Sequence, residues 1–219
     1  MNDKPLLTTS LLLQEANAFA MLESQHQEPL LYGITDGKAV GTYLEQKFRL
    51  YLQERYEFLA GSSAEGIDLP GLLVDLKTTS VRQPQSSCPF KSARQKVYGL
   101  GYALLIFVYE KRDDPANSTA NLSLRHVVFV EKERTADFQT TTGLRRILEN
   151  EGNEDDILAF LNERMLPVDD MQAIVLAQEI LQNPPEVGYL TISNALQWRL
   201  QSARVIEKAD SVTGIRKVR

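Results

Sequence analysis

The stretch "GSSAEGIDLPGLLVDLKTTS", residues 61–80, sets Asp68, Asp75 and Lys77 among apolar residues around a Pro-Gly pair. Pro70-Gly71 is turn chemistry, because proline presets the first turn dihedral and glycine accepts the second. The flanking residues read as two strands of a hairpin centred on that pair. In a tight register Leu69 faces Leu72 and Asp68 faces Leu73; a wider loop would change the pairing. Side chains alternate along a strand, so Leu73, Asp75 and Lys77 share one face while Val74 and Leu76 turn to a core. Asp68 falls on the first face, diagonal to Asp75, with Cα atoms roughly 7–8 Å apart.

Two carboxylates and an amine beside a buried sheet are costly unless something compensates them. A hard cation does so. Magnesium takes oxygen ligands, keeps several waters and is commonly held by one or two carboxylates plus substrate phosphate. Lys77 beside it would orient or help deprotonate a water and stabilise developing negative charge. An Asp-x-Lys tripeptide alone is ordinary surface decoration. The upstream aspartate, the turn and a strand on each side make the pattern more specific. Glu45 sits at i+4 from Gly41, i−3 from Phe48 and i−7 from Leu52, at the flank of an apolar helix stripe. From there it completes a metal site or, in the plainer reading, pairs with Arg49 or Lys47.

Working outward, residues 7–24 have helical spacing after a Thr-Thr-Ser start, and "YGITDGK" (32–38) is a loop. Residues 39–61 read as one long helix closed by Gly61, with Val40, Leu44, Phe48, Tyr51 and Leu52 as its stripe. A polar loop, "RQPQSSCPFKS", and a short helix over "SARQKVYGLG" lead to "YALLIFVYE" (102–110), an apolar run suited to a fully buried strand. A second strand follows at 122–133. Helices are expected at 143–150, 154–165, 168–183 and 190–209, the last capped by Thr191 or Ser193. It reads either as part of a helix-turn-helix or as a packing helix with Trp198 in its seam. "DSVTGIRKVR" suits a turn and a short strand. The organisation is an α/β core over 1–140 and a helical region over 141–219, for DNA recognition or dimerisation or as part of one domain.

At 219 residues the chain can bury a proper core. Its one cysteine, Cys88, excludes an internal disulfide and a multi-cysteine zinc site, and two histidines leave little room for a histidine-based cage. No apolar run approaches the roughly 20 residues of a membrane helix, and the N-terminus lacks a convincing secretory pattern. The cytoplasm is the expected location. The net charge of −5 argues against a uniformly basic nucleic-acid coat. Residues 77–112, however, carry Lys77, Arg82, Lys91, Arg94, Lys96, Lys111 and Arg112 against Glu110 alone, and residues 199–219 are also basic. A cleft with that local charge suits a polyanion. Residues 149–163, "ENEGNEDDILAFLNE", form an acidic, solvated face.

Asp68, six intervening residues and then Asp75-Leu76-Lys77, with Glu45 on a preceding helix, resemble the PD-(D/E)xK nuclease superfamily. "GTYLE" leading to the 61–80 stretch resembles, more narrowly, type II restriction endonucleases. The spacing is also similar to mismatch-repair nicking enzymes of that fold, with Gly41 four residues before Glu45. The match covers about residues 38–110. Ile67 stands where the family often has proline, and Asp75 where many members carry glutamate. The resemblance implies a restriction-endonuclease-like core, with a central mixed β-sheet flanked by helices. It also implies dependence on Mg²⁺ and hydrolysis of a DNA phosphodiester to leave a 5′-phosphate. It assigns Asp68 and Asp75 as metal ligands, Lys77 as the catalytic lysine and Glu45 as an auxiliary acidic residue at the metal.

Past Lys77, Arg82 and Gln83 leave the site with hydroxyl and amide chemistry suited to phosphates or base edges. Lys91, Arg94 and Gln95 lie at a helix start, where amides favour phosphate. The leading expectation is a site-specific endonuclease on double-stranded DNA, acting as a homodimer because two strands require two sites. The alternatives are a nicking repair nuclease of the same fold and a DNA-binding protein without cleavage.

Overall fold

Aromatic packing near the N-terminus sets the position of everything that follows. The computed structural model describes residues 4–61, 66–166, 168–191 and 199–219. Helix α1 (Thr9–Glu23) starts where Thr8 Oγ1 accepts from Leu11 N, as the Thr-Thr-Ser signal predicts. A short strand β1 (Gln27–Glu28) leads to α2 (Gly37–Gln53), capped by Asp36, whose carboxylate accepts from the amides of Lys38 and Ala39. Strand β2 (Val74–Ser80) follows, then β3 (Gln85–Ser87) and α3 (Ala93–Tyr98). Strands β4 (Ala103–Asp114) and β5 (Thr119–Val130) make a long hairpin. Helices α4 (Phe138–Glu149), α5 (Glu154–Glu163) and α6 (Asp170–Gln182) come next, then β6 (Arg199–Gln201), α7 (Ala203–Lys208) and β7 (Ile215–Lys217). The α/β class with a central sheet flanked by helices is as expected.

The chain divides into two compact units. The first comprises 1–85, 104–130 and 208–219 and holds a sheet in the order β1-β5-β4-β2, with β1 paired to residues 120–121 of β5 and β7 to residues 128–130 at its other end. Strand β4 is buried over its first seven residues, as the continuous run "ALLIFVY" predicts. Phe19 of α1, Phe48 of α2 and Phe107 of β4 meet with ring centroids 5.0–6.1 Å apart, and Leu44, Phe48 and Leu52 are fully buried. Each such side chain contributes roughly 1.5–3 kcal/mol of apolar burial. That packing fixes the rotation of α2, and with it the direction of Glu45.

The second unit comprises 86–103 and 131–207. Its core joins Ala93 and Val97 of α3 to Leu144, Ile157, Leu161, Leu176 and Ile180 of α4, α5 and α6. The acidic run has a local explanation here. Glu154, Asp155 and Asp156 occupy the first turn of α5, where negative charge complements the exposed amides, and Asn153 and Asp156 form a reciprocal cap.

Three expectations are corrected. Helix α2 ends at Gln53, not Gly61, because Glu57 pairs in extended form with the N-terminal segment: Leu7 N donates to Glu57 O and Glu57 N to Pro5 O. Gly61 instead lies against the chain near Asp68, where a Cβ would stand 1.8 Å from Ile67 O. The 190–209 segment is not one helix. Leu190 and Thr191 bridge to Asp137 and Gln201, β6 is extended, and among the described residues of the segment only Ala203–Lys208 is helical. The core of the expected helix, with Trp198 and the helix-turn-helix reading, lies outside the described residues. The third correction concerns the hairpin itself.

Candidate active site

The turn after Asp68 is wider than a two-residue hairpin. Pro70–Leu72 form a 3₁₀ turn and Leu73 closes it in the left-handed region, at φ 52°. Leu69 therefore pairs with Val74, through Leu69 N to Val74 O at 3.0 Å and Val74 N to Leu69 O at 3.2 Å. Leu72 N still donates to Leu69 O at 3.1 Å within the turn, but the strand register is not Leu69 with Leu72 and Asp68 with Leu73. One step further along this register puts Asp68 directly opposite Asp75. Such a non-hydrogen-bonded pair brings Cα atoms to about 4.5 Å, closer than the diagonal expected from the sequence.

Val74 and Leu76 are buried, as the alternation predicts. Asp75 is buried as well, its side chain 5% exposed, and Lys77 Nζ lies 2.6 Å from Asp75 Oδ2. Lys77 is thus the charged partner of the buried Asp75 Oδ2. Asp68 Oδ2 accepts from Leu76 N at 3.0 Å and Asp68 Oδ1 from Arg49 Nη2 at 3.1 Å.

Glu45 reaches the same place from α2. Burial pushes its carboxyl up to about 7; the Lys77 charge opposes the shift and Asp68 adds to it. Asp75 is pushed up to about 6, first by burial, with Lys77 opposing and the Asp68 carboxyl reinforcing. Gly41, one turn before Glu45, faces β2; a Cβ there would lie 3.7 Å from Thr78 Cβ. The buried Thr78 hydroxyl lies against the Glu45 carboxyl and opposes its shift.

Glu45, Asp68, Asp75 and Lys77 thus converge, although they come from a helix, a turn and a strand. Neither plain partner proposed for Glu45 is taken up: Arg49 pairs with Asp68, and Lys47 with Glu23. Arg49 and Thr78 are the members that sequence reasoning left out. The signal for Arg49 was its spacing of four from Glu45, which puts both on one helix face.

Among the described residues, no three His, Cys, Asp or Glu side chains are grouped to grip one ion. The site therefore offers the neighbouring carboxylates of Asp68 and Asp75, with Lys77 held against Asp75. That donor set fits an ion that keeps several waters, as magnesium does.

A family model for the type II restriction enzyme NspV matches residues 6–217. The chain belongs to the NspV family of type II restriction enzymes. One member, the type II restriction enzyme NspV of Nostoc sp. (strain ATCC 29411 / PCC 7524), is 65% identical over 210 residues, covering 96% of each chain. No solved structure matches the chain. In this NspV-family chain no helix among the described residues is long and apolar enough to cross a membrane.

The residues expected to meet DNA fall in both units of this NspV-family chain. In the first, the loop after β2 is tied back onto that strand, with Thr79 Oγ1 donating to Gln83 O and Gln85 O and Gln83 N donating to Ser80 Oγ. Arg82 and Gln83 are exposed on it. In the second, Lys91 is exposed and its amide donates to Gln95 Oε1. Arg94 makes a forked pair with Glu179, at 2.6 and 3.1 Å, which raises its pKa further.

Proposed function

We propose that this restriction enzyme is a Mg²⁺-dependent endonuclease of PD-(D/E)xK type, hydrolysing phosphodiester bonds of double-stranded DNA at a specific sequence from the Glu45–Asp68–Asp75–Lys77 cluster. Family membership makes the chain a site-specific deoxyribonuclease. The observation that carries the assignment of the site is the convergence of the Asp68 and Lys77 side chains on the buried Asp75 carboxyl, beside the Leu69–Val74 bridge.

Asp68 and Asp75 would hold the metal, with Glu45 as the auxiliary acid beside them. The ion supplies charge neutralisation for the phosphate and acidifies water. Lys77 Nζ donates to the attacking water or to a phosphate oxygen and stabilises the negative charge that builds as water oxygen bonds to phosphorus. The P–O3′ bond breaks, leaving a 5′-phosphate and a 3′-hydroxyl. Burial raises the Glu45 carboxyl to about 7, and a nearby cation would favour its ionised form. Arg82, Gln83, Lys91, Arg94 and Gln95 are proposed DNA contacts. Arg94 would have to exchange Glu179 for a phosphate. Two strands call for two sites, so the active species is proposed to be a homodimer.

The test is digestion of a broad panel of duplex DNA with and without Mg²⁺, followed by sequencing of the fragment ends. Discrete ends bearing 5′-phosphates, lost in Lys77→Ala, are expected. Intact DNA throughout, or equal cutting by Lys77→Ala, would overturn the proposal; nicked circles without linear product would favour a nicking enzyme.

A further inference from the structure

Arg49 adds a second cation to the cluster, and its geometry is unusual for a stabilising ion pair. It leaves α2 on the face shared by Gly41 and Glu45 and gives Asp68 Oδ1 one hydrogen bond, from Nη2 at 3.1 Å. Asp68 Oδ2 is held from another element, by Leu76 N of β2 at 3.0 Å. The carboxylate is thus gripped at both oxygens, by a helix and by a strand, and its plane is fixed. A guanidinium placed for stability alone would give both donors of its Nε–Nη2 edge to the two carboxylate oxygens. Here Nε is buried with no acceptor, although an unsatisfied buried donor is unfavourable. The arrangement gives up the second hydrogen bond and keeps Asp68 turned toward Leu76 and Asp75.

We propose that Arg49 is a positioning residue that holds Asp68 in the orientation needed to ligate the divalent ion together with Asp75. The inference rests on the reading of Asp68 as a metal ligand. Its consequence runs against simple electrostatics. Removing a positive charge beside a cation site should tighten metal binding, whereas releasing a ligand from its tether should weaken it. Partners of this kind typically carry 10–100-fold in metal affinity. The tether is the larger effect.

The experiment measures Mn²⁺ binding to the full chain without DNA, by electron paramagnetic resonance, for the wild type and for R49M, R49K and D68N. Thermal unfolding of each variant checks the fold. D68N is expected to lose binding, R49M to bind about tenfold or more weakly, and R49K to fall between. In cleavage assays R49M should need more Mg²⁺ for half-maximal rate and recover most of its kcat at saturation. If D68N loses Mn²⁺ while R49M binds as tightly as wild type or more tightly, the positioning role is overturned and the metal site stands. If D68N binds like wild type, the metal-site reading falls and the role of Arg49 with it. Should R49M fail to fold, R49K decides: unchanged Mn²⁺ affinity overturns the inference, and several-fold weakening supports it.

Discussion

Helix α2 carries two buried polar clusters on different faces, and they are finished differently. On one face Lys47 Nζ pairs with buried Glu23 at 2.8 Å and donates to Tyr43 OH at 2.6 Å. Tyr43 OH donates to Glu28 Oε2 at 2.7 Å, and Glu28 Oε1 accepts from Leu30 N. Burial and the carboxylate of Glu28 hold the Tyr43 hydroxyl well above the usual phenol range. On the face toward β2, Arg49 Nε is buried without an acceptor, while Asp75 Oδ2 lies against Lys77 and Thr78 against Glu45. The first cluster is completed by the chain itself and ties α2 to α1. The second is left open in charge, with three carboxylates against two cations. Such an excess of buried negative charge points to a bound cation that balances it.

Four perturbations separate the two faces. Lys77→Ala should lower cleavage about a thousandfold, a larger effect than the stability lost by leaving buried Asp75 without its cation. A variant cutting within tenfold of wild type would show that the open cluster is not where catalysis happens. Lys47→Met should do the reverse. It leaves Glu23 buried without its cation and should cost about 3 kcal/mol in denaturant unfolding, with Mn²⁺ affinity unchanged. Loss of metal binding in that variant would erase the distinction between the faces.

A smaller effect is expected from pH. Glu45 and Asp75 are raised to about 7 and about 6, above unfolded carboxyls near 4, so the fold binds more protons between those values. Stability of the metal-free protein should therefore fall as pH rises from about 4 to about 7. Glu45→Gln should flatten that slope, and millimolar Mg²⁺ should restore stability at the upper end. An unchanged slope in Glu45→Gln would place the burden elsewhere. Least of all, Gly41→Ala should be neutral or stabilising by up to ~1 kcal/mol through helix propensity. The space is available, because the new Cβ would make ordinary contact with Thr78. A marked loss of stability would show that α2 and β2 pack more tightly than these distances indicate.

Much of this site is visible in the chain alone because its clues are local. Asp75 and Lys77 are two apart and share a strand face; Gly41, Glu45 and Arg49 are four apart and share a helix face. The register of Asp68 was not local. It depended on whether the turn at Pro70-Gly71 used two residues or four, and Leu73 in the left-handed region settled it. Leucine seldom adopts that conformation, so sequence preference pointed to the tighter turn. The end of α2 was missed for a similar reason: residues 54–60 continue a passable helical pattern, yet Glu57 pairs with a segment fifty residues earlier. In the C-terminal region, the strand at Arg199–Gln201 lies inside a stretch with good helix formers, and its bridge to Thr191 overrides them.

The sequence by itself determined which residue types lie on which face of each element, since side-chain periodicity follows from the backbone of a single helix or strand. It thereby named the acids and the lysine, the buried strand β4, and the capped start of α1. Only the tertiary structure decided which faces meet. It set Asp68 opposite Asp75, turned Arg49 to Asp68 and Lys47 to Glu23, and brought Ile215–Lys217 onto the edge of β5. Those choices depend on pairing and packing between distant segments, whose free energies no local pattern contains.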